Sequence, residues 1–273
     1  MNVTSFSFIS IGILLSASLS CNVFADEAAK QTLNRILNEE GISNQEKSSL
    51  HALRALEFEK RKAYDKAISE YEKAIKLDPE NADACSNLAT LYVDSNQFEK
   101  AEKLFKKAIR LKPNTASYHV NLANLFYFRE QYGSAISEYR IALDLDPNFS
   151  VAHSNLGDAY LKKSLFNLAL RHIQKAIELQ PDFAVAHSNL GGYYYAVGNK
   201  EKARQSFLRA LELNPQLSAA YESLGRLEIK EEQPGDALVH FRKALEFATS
   251  VYDANQAKVG ITKAEELLKV SKV

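Results

Sequence analysis

The sequence has no excess of charge of either sign and very little cysteine. Its 273 residues include 34 basic and 34 acidic side chains, so the formal net charge is zero. A neutral chain has no global attraction for nucleic acid or for an anionic membrane, and we expect neither as a general partner. Cleavage after Ala25 would remove Cys21 and leave Cys85 alone, and one cysteine cannot form an internal disulfide. The stability of the chain must therefore come from packing.

Charge is also missing from the first 25 residues, which contain no Lys, Arg, Asp or Glu. Residues 6–19 form an apolar run interrupted only by Ser, Gly and Ala, and a transmembrane helix needs about 20 apolar residues. This shorter run is typical of a secretory signal, and Val23 and Ala25 occupy the positions that small residues take before a cleavage site. We therefore predict a signal peptide at residues 1–25 and an exported, periplasmic or secreted protein.

Two alternatives would place the protein at a membrane. In the first, the N-terminal segment is not cleaved and anchors the protein in the membrane. In the second, a lipid is attached to Cys21, which would make the protein a lipoprotein. Leu19 lies one place closer to Cys21 than in a lipoprotein signal. A wrongly assigned start of the chain is a third alternative.

Protein purified from its native host can test the export prediction. N-terminal sequencing or an intact mass should show a chain that begins at Asp26. A chain that retains Met1 or Asn2 would contradict export, and a lipid adduct on Cys21 would support the lipoprotein alternative.

The rest of the sequence repeats with a period of 34 residues. Five of the six prolines follow this period, at 79, 113, 147, 181 and 215. Alanines recur at 67, 101, 135, 169, 203 and 237, and an aromatic residue follows four places later in five of these six copies. With each proline at position 32, the copies span 48–81, 82–115, 116–149, 150–183, 184–217 and 218–249. Residues 26–47 would form a leading helix or linker, and residues 250–273 a cap helix and tail.

Each copy predicts two helices. Positions 4, 7, 8 and 11 are three or four residues apart and share one helix face, as in His153, Leu156, Gly157 and Tyr160. Positions 20, 24 and 27 mark a second helix, which the proline ends because the residue before a proline avoids the α region. The first and last copies depart from the pattern, as expected for repeats with a neighbour on one side only.

This pattern resembles the tetratricopeptide repeat (TPR) family over residues 48–249. The resemblance implies an all-α fold, namely a right-handed superhelix (an α-solenoid) of six helix-turn-helix repeats with a C-terminal cap helix. It also implies that the first helix of each repeat lines a concave surface.

The sequence contains no recognisable enzyme or metal motif. GxSxG, P-loop, HExxH and dinucleotide-binding patterns are all missing from it. Histidines do recur at position 4, as His51, His119, His153 and His187. Neighbouring helices pack about 8–10 Å apart, whereas zinc ligands lie about 2 Å from one shared ion. We therefore interpret these histidines as packing residues and predict no catalytic residue, no metal and no cofactor.

An asparagine recurs at position 6 of four consecutive copies, as Asn87, Asn121, Asn155 and Asn189, which we call the asparagine ladder. With about 100° per residue, position 6 lies almost opposite the packing face and points to the implied concave surface. An asparagine amide both donates and accepts hydrogen bonds. An extended peptide rises about 3.3 Å per residue, so one asparagine per repeat would meet roughly every third peptide residue.

The ladder is similar to that of the TPR superhelix in O-linked N-acetylglucosamine transferases, although this chain has no transferase domain. The sequence therefore predicts a non-enzymatic scaffold that binds an extended segment of another protein in its concave groove. Further predicted contact residues on the same stripe are Thr90, Asn124, Asp158, Phe128 and Tyr195.

Alternatives remain for the ladder and for the function. In one alternative the asparagines were copied along with the repeats, and in another each amide binds the neighbouring repeat instead of a ligand. The alternative function is a structural envelope-assembly factor that uses its convex face or its ends. It would be similar to the TPR lipoproteins that help to assemble outer-membrane pilus secretins.

Overall fold

The computed structural model describes residues 41–270, and all helices and strands assigned in this range are α-helices. The predicted signal peptide, Cys21 and residues 26–40 of the predicted leading segment lie outside the described residues. The helices are α1 (Asn44–Lys60), α2 (Tyr64–Leu77), α3 (Ala82–Asp94), α4 (Phe98–Leu111), α5 (Ala116–Phe128), α6 (Tyr132–Leu145), α7 (Ser150–Lys162), α8 (Phe166–Leu179), α9 (Ala184–Ala196), α10 (Lys200–Leu213), α11 (Ser218–Lys230), α12 (Pro234–Glu246) and α13 (Val251–Val270).

In sequence order, these helices form six pairs followed by the single helix α13. This order confirms the predicted all-α fold of six helix-turn-helix repeats with a C-terminal cap helix. The chain divides within α3 into two compact units, one up to Leu91 and one from Tyr92 onward. None of the helices between residues 41 and 270 combines the length and the apolar character needed to cross a membrane.

The turn between the two helices of each repeat contains one residue in the left-handed region of backbone space. In repeat 4 this residue is Ser164, whose N–H donates to the carbonyl of Leu161, while the N–H of Leu165 donates to the carbonyl of Tyr160. These bonds satisfy carbonyl groups that the helix end leaves without partners. The left-handed residues are 34 positions apart, at Lys62, Asn96, Glu130, Ser164, Gly198 and Glu232.

In the first five repeats, one residue separates the end of the second helix from the periodic proline. In repeat 4 this residue is Gln180, with an extended backbone (φ −142°, ψ 90°) and an N–H that donates to the carbonyl of Ala176. A proline restricts the residue before it to an extended backbone, which explains this conformation. The equivalent residues in the other four repeats are Asp78, Lys112, Asp146 and Asn214.

Helix α1 begins at Asn44, four residues before the first repeat predicted from the proline period. Its start is fixed by a capping box: the hydroxyl of Ser43 accepts a hydrogen bond from the N–H of Glu46, and the Glu46 carboxylate accepts one from the N–H of Ser43. Such reciprocal bonds satisfy two donors at a helix start. The proline period carries no information about this local signal.

Small residues let the two helices of a repeat approach closely. A Cβ atom on Gly157 would lie 2.5 Å from Cγ1 of Ile173 on the partner helix, closer than real Cβ contacts. The periodic alanines of the second helices are fully buried in the second unit, namely Ala101, Ala108, Ala135, Ala142, Ala169, Ala176, Ala203, Ala210, Ala237 and Ala244. The core therefore lies between the two helix layers, and large side chains such as Leu156 and Ile173 fill it.

Two adjacent glycines of α9 should respond in opposite directions to replacement by alanine. A Cβ on Gly191 would lie 2.5 Å from the buried ring of Phe207, whereas one on Gly192 would meet only Leu161, at an ordinary 3.6 Å. We expect G192A to raise the free energy of unfolding by about 0.5–1 kcal/mol through helix propensity. G191A should lower it by about 1–3 kcal/mol, because overpacking outweighs that gain. Urea unfolding measures both, and shifts of the same sign would contradict the packing explanation.

Candidate functional site

The first helices of successive repeats contact one another in the second unit. Helix α5 contacts α7, α7 contacts α9, α9 contacts α11, and α11 contacts α13. The second helix of each of these repeats packs against its own first helix and against the first helix that follows. The helices α5, α7, α9, α11 and α13 thus share one continuous surface, which we call the first-helix face.

The larger cavity on this face has a volume of about 360 Å³. Its lining brings together residues of four first helices and the cap helix α13, with Phe207 from α10. Three of them, Asp158, Asn189 and Tyr195, are among the candidates from the sequence. The remainder includes serines, two basic residues and further aromatics, and the full lining is Tyr127, Asp158, Leu161, Lys162, Ser188, Asn189, Gly192, Tyr195, Ala196, Phe207, Ser218, Ala219, Glu222, Ser223, Arg226, Tyr252, Asp253 and Gln256.

A smaller cavity of about 220 Å³ lies on the same face. Six residues line it, and four of them are candidates predicted from the sequence: Asn124, Phe128, Asn155 and Asp158. The other two are tyrosines, Tyr127 and Tyr139. The structure therefore brings together most of the candidate residues that fall in repeats 3 to 5.

Two of the ladder amides in the second unit, those of Asn155 and Asn189, bind the preceding repeat. The Asn155 amide donates from Nδ2 to Oδ1 of Asn124, at 3.0 Å. That oxygen also accepts from the hydroxyl of Tyr139, at 2.5 Å. The Asn189 amide donates to both the carbonyl (3.1 Å) and the hydroxyl oxygen (3.0 Å) of Ser154. These bonds match the alternative in which each amide binds its neighbouring repeat.

An amide that binds its neighbour still has capacity for a ligand. Asparagine has two N–H donors and an oxygen with two lone pairs. The Asn155 amide donates to Asn124 and to the hydroxyl of Tyr139, so its side-chain oxygen is the group left for a ligand. Its side chain is half-buried, like that of Asn189. Asn121 is also half-buried and lies one turn before Asn124 on α5. Bracing of the repeats and contact with a ligand are therefore chemically compatible.

Two candidates belong to the first unit. Asn87 is half-buried, and its side chain hydrogen-bonds the hydroxyl of Tyr71, a residue of the preceding repeat. Thr90 is exposed, and its hydroxyl donates to the carbonyl of Ser86 at 3.2 Å. Both side chains therefore have partners within that unit.

Sequence reasoning missed the contribution of α13 to the first-helix face. Tyr252, Asp253 and Gln256 line the larger cavity, and the ring of Tyr252 meets that of Phe128 edge-on at 5.8 Å. The two rings are 45% and 39% exposed, so aromatic surface remains accessible beside the amides. The available signal was the period itself, because residue 252 is where a seventh copy would begin.

The larger cavity contains carboxylates in an apolar setting. Burial raises the pKa of Glu222, although the nearby Arg226 and Lys162 oppose this shift. Burial and the carboxylate of Asp158 raise the pKa of Tyr127, so its hydroxyl stays protonated and donates to Asp158 at 2.5 Å. The face therefore offers fixed polar groups next to aromatic rings, a combination that orients a ligand.

Three of the four histidines at position 4, namely His51, His119 and His153, contact the second helix of their own repeat, whereas Nε2 of His187 lies 2.8 Å from the carbonyl oxygen of Pro181. His119 Nδ1 lies 2.8 Å from the Glu138 carboxylate, and His153 Nδ1 lies 2.9 Å from Nδ1 of His172. Among residues 41–270, no three His, Cys, Asp or Glu side chains are placed to hold one metal ion. Cys85 is buried in the first unit.

Comparison with known proteins places the repeats in one family. Three family profiles match residues 60–125, 123–164, and 154–218 with 193–252; two are described as "Tetratricopeptide repeat" and one as "TPR repeat". Together they cover the chain from residue 60 to residue 252. No curated protein matched the sequence significantly.

Solved structures share the fold at low sequence identity. A chain of the APC/C Cut9–Hcn1 hetero-tetramer matches with a TM-score of 0.68 and 16% identity over 84% of this chain, which spans only 45% of that chain. PilW, described as a widely conserved type IV pilus biogenesis factor, matches with a TM-score of 0.62 and 21% identity over 76% of this chain and 96% of its own. Pseudomonas aeruginosa pilF matches with a TM-score of 0.59 and 19% identity over 79% and 98%. At these identities the likeness concerns the fold alone.

Proposed function

We propose that this protein, which belongs to the tetratricopeptide repeat family, is a non-enzymatic scaffold that binds an extended segment of a partner protein. The segment lies along the first-helix face. The observation that carries the proposal is the pair of cavities on that face, where half-buried amides adjoin the exposed rings of Phe128 and Tyr252. Polar groups beside aromatic surface suit a peptide, whose backbone is polar and whose side chains are often apolar.

Two kinds of contact would hold the segment. The side-chain amides of Asn121, Asn155 and Asn189 would hydrogen-bond the peptide backbone, once per repeat and independent of its sequence. Phe128, Tyr195 and Tyr252 would add preference for particular side chains, since aromatic residues bury large areas at low entropic cost. Asn87 and Thr90 would contribute in the same way in the first unit. We propose an exported protein as the setting, with a membrane role only if the N-terminal segment is retained or Cys21 is lipidated.

A second candidate is a structural envelope-assembly factor that uses the convex face formed by its second helices, which we call the outer face, or its ends. Two observations favour it. The ladder amides already bind neighbouring repeats, which lowers their capacity for a ligand. The fold is also shared with PilW and pilF, the first described as a type IV pilus biogenesis factor. The two candidates differ in which surface touches the partner.

Site-specific photo-crosslinking in the native host distinguishes them. A photoreactive amino acid replaces Phe128 on the first-helix face, and in a second protein it replaces Leu208, which is exposed on α10. The groove proposal expects a partner adduct from position 128 and none from position 208, with mass spectrometry identifying a contiguous segment of the partner. Adducts from position 208 alone would favour the outer-face candidate and overturn the groove proposal.

A further inference from the structure

Positions 4 and 23 of a repeat contact each other across its two helices. In repeats 1 and 3 they are a histidine and a glutamate: His51 Nδ1 lies 2.7 Å from Glu70, and His119 Nδ1 lies 2.8 Å from Glu138. In repeat 4 the glutamate is replaced, and His153 faces His172 with their Nδ1 atoms 2.9 Å apart. Repeat 4 thus has the histidine of the pair without the carboxylate that accompanies it in repeats 1 and 3.

The hydrogen bonds fix which nitrogen carries each proton. Nε2 of His153 lies 3.0 Å from the carbonyl oxygen of Pro147, and a carbonyl only accepts, so this nitrogen must donate. In a neutral His153, Nδ1 is then an acceptor, and the proton between the two rings must belong to Nδ1 of His172. Nε2 of His172 is left with a bare lone pair. The next proton taken up by the pair therefore binds there.

The His172 side chain borders a cavity of about 530 Å³ on the outer side of repeat 4. Arg171 and Lys175 flank it on the same helix. Glu178 also lines the cavity and pairs with Lys175 at 2.8 Å, and the Glu178 side chain is 70% exposed and that of Lys175 38%. Exposed pairs of this kind contribute little, so Lys175 can turn to another anion. On the facing side, the Tyr160 ring lies 5.6 Å from His172, and Asp146 lies near His153.

Both imidazoles are neutral at neutral pH. Burial, His153 and Arg171 together lower the pKa of His172 to about 4, and burial also lowers the pKa of His153. Each basic neighbour makes a proton on His172 less favourable, and an anion bound among them would reverse that effect.

From this geometry we propose that the cavity beside His172 binds an anionic oxygen group, either a carboxylate or a phosphate, together with one proton on Nε2 of His172. The protonated Nε2 donates to the anion, and Arg171 and Lys175 provide the remaining donors. The site is on the second-helix side of the repeat, so it is separate from the first-helix face.

Linkage sets the sign of the pH dependence. The anion binds the protonated form, so binding must raise the pKa of His172, and affinity must increase as the pH falls from 7 toward that pKa. A site made only of Arg171 and Lys175 would show no such dependence, since both stay charged throughout.

The imidazoles of the ¹⁵N-labelled full-length protein report directly on this site. Long-range ¹H–¹⁵N spectra follow Nδ1 and Nε2 of His172 through a pH titration in phosphate, in acetate, and in chloride at equal ionic strength. We expect phosphate or acetate to raise the pKa of His172 by about one unit, a tenfold preference for the protonated form. A rise in the pKa of His172 in phosphate alone would identify a phosphate group as the ligand. A rise in acetate would identify a carboxylate side chain of a partner protein.

Two variants test the assignment. The double variant R171Q/K175Q should lose most of the anion response while keeping the contact between the rings. H172E restores the pairing of repeats 1 and 3, so the spectrum of His153 should no longer respond to phosphate. Equal pKa values of His172 in phosphate, acetate and chloride would overturn the proposal. An undiminished rise in the pKa of His172 in R171Q/K175Q would also overturn the proposal, because general ionic screening would then explain the rise.

Discussion

Replacing Leu156 by alanine should lower the free energy of unfolding by about 2–5 kcal/mol. Leu156 is fully buried and belongs to a core cluster shared by repeats 3 and 4, with Val120, Tyr139 and Ile173 among its members. Truncation removes the transfer free energy of the lost methyl groups and leaves a cavity between tightly packed helices. Because each repeat packs mainly on its neighbours, the loss affects the interface on both sides of α7.

Urea unfolding followed by circular dichroism measures this effect, and Asn155→Ala is the matched control on the same helix. Asn155 contributes a hydrogen bond to Asn124, and a net bond of this kind is worth about 0.5–1.5 kcal/mol. A loss in N155A as large as that in L156A would show that the amide is a core structural element and not chiefly a ligand contact. Because solenoids can lose cooperativity, the m-values of the variants must agree before the free energies are compared.

The repeat and its packing face could be read from the sequence, because periodicity repeats the same signal in every copy. Leu156 and Ile173 are buried for the same reason as their equivalents one period away, so errors at single positions do not change the interpretation. The clustering of Asn124, Phe128, Asn155 and Asp158 followed from helical geometry within and between adjacent repeats. These relations depend only on neighbours in the chain.

Other features depend on information that a period does not contain. Glu130 and Ser164 occupy left-handed turn positions for which glycine is the usual residue, so composition gave no signal there. The partners of the ladder amides depend on side-chain conformations of the preceding repeat. The contact between Phe128 and Tyr252 joins residues 124 positions apart in sequence, and its existence depends on how four repeats accumulate their curvature.

Replacing Asn87, Asn121, Asn155 and Asn189 together by alanine should weaken binding of the partner segment by about tenfold or more. Four backbone hydrogen bonds at about 0.5–1.5 kcal/mol each amount to about 2–6 kcal/mol, and about 1.4 kcal/mol corresponds to a tenfold change in Kd. Fluorescence anisotropy of the labelled segment, identified by crosslinking from position 128, measures the change. The loss should be similar for segments of scrambled sequence, since the amides would contact the peptide backbone.

The same substitutions also remove hydrogen bonds between repeats, so a stability-matched control is needed. Ile173→Ala serves this purpose because Ile173 is buried on α8, behind the first-helix face, and its truncation should cost about 2–5 kcal/mol, similar to the loss of several hydrogen bonds between repeats. I173A should bind the segment as wild type does, at a temperature where both proteins are fully folded. A second variant, F128A/Y252A, removes the exposed rings and should weaken the binding only of segments with apolar side chains.

If the quadruple asparagine variant binds as tightly as wild type, the ladder only braces the repeats and does not hold the segment. If F128A/Y252A also binds without loss, the first-helix face is not the binding surface, and the outer-face scaffold becomes the function that the structure supports.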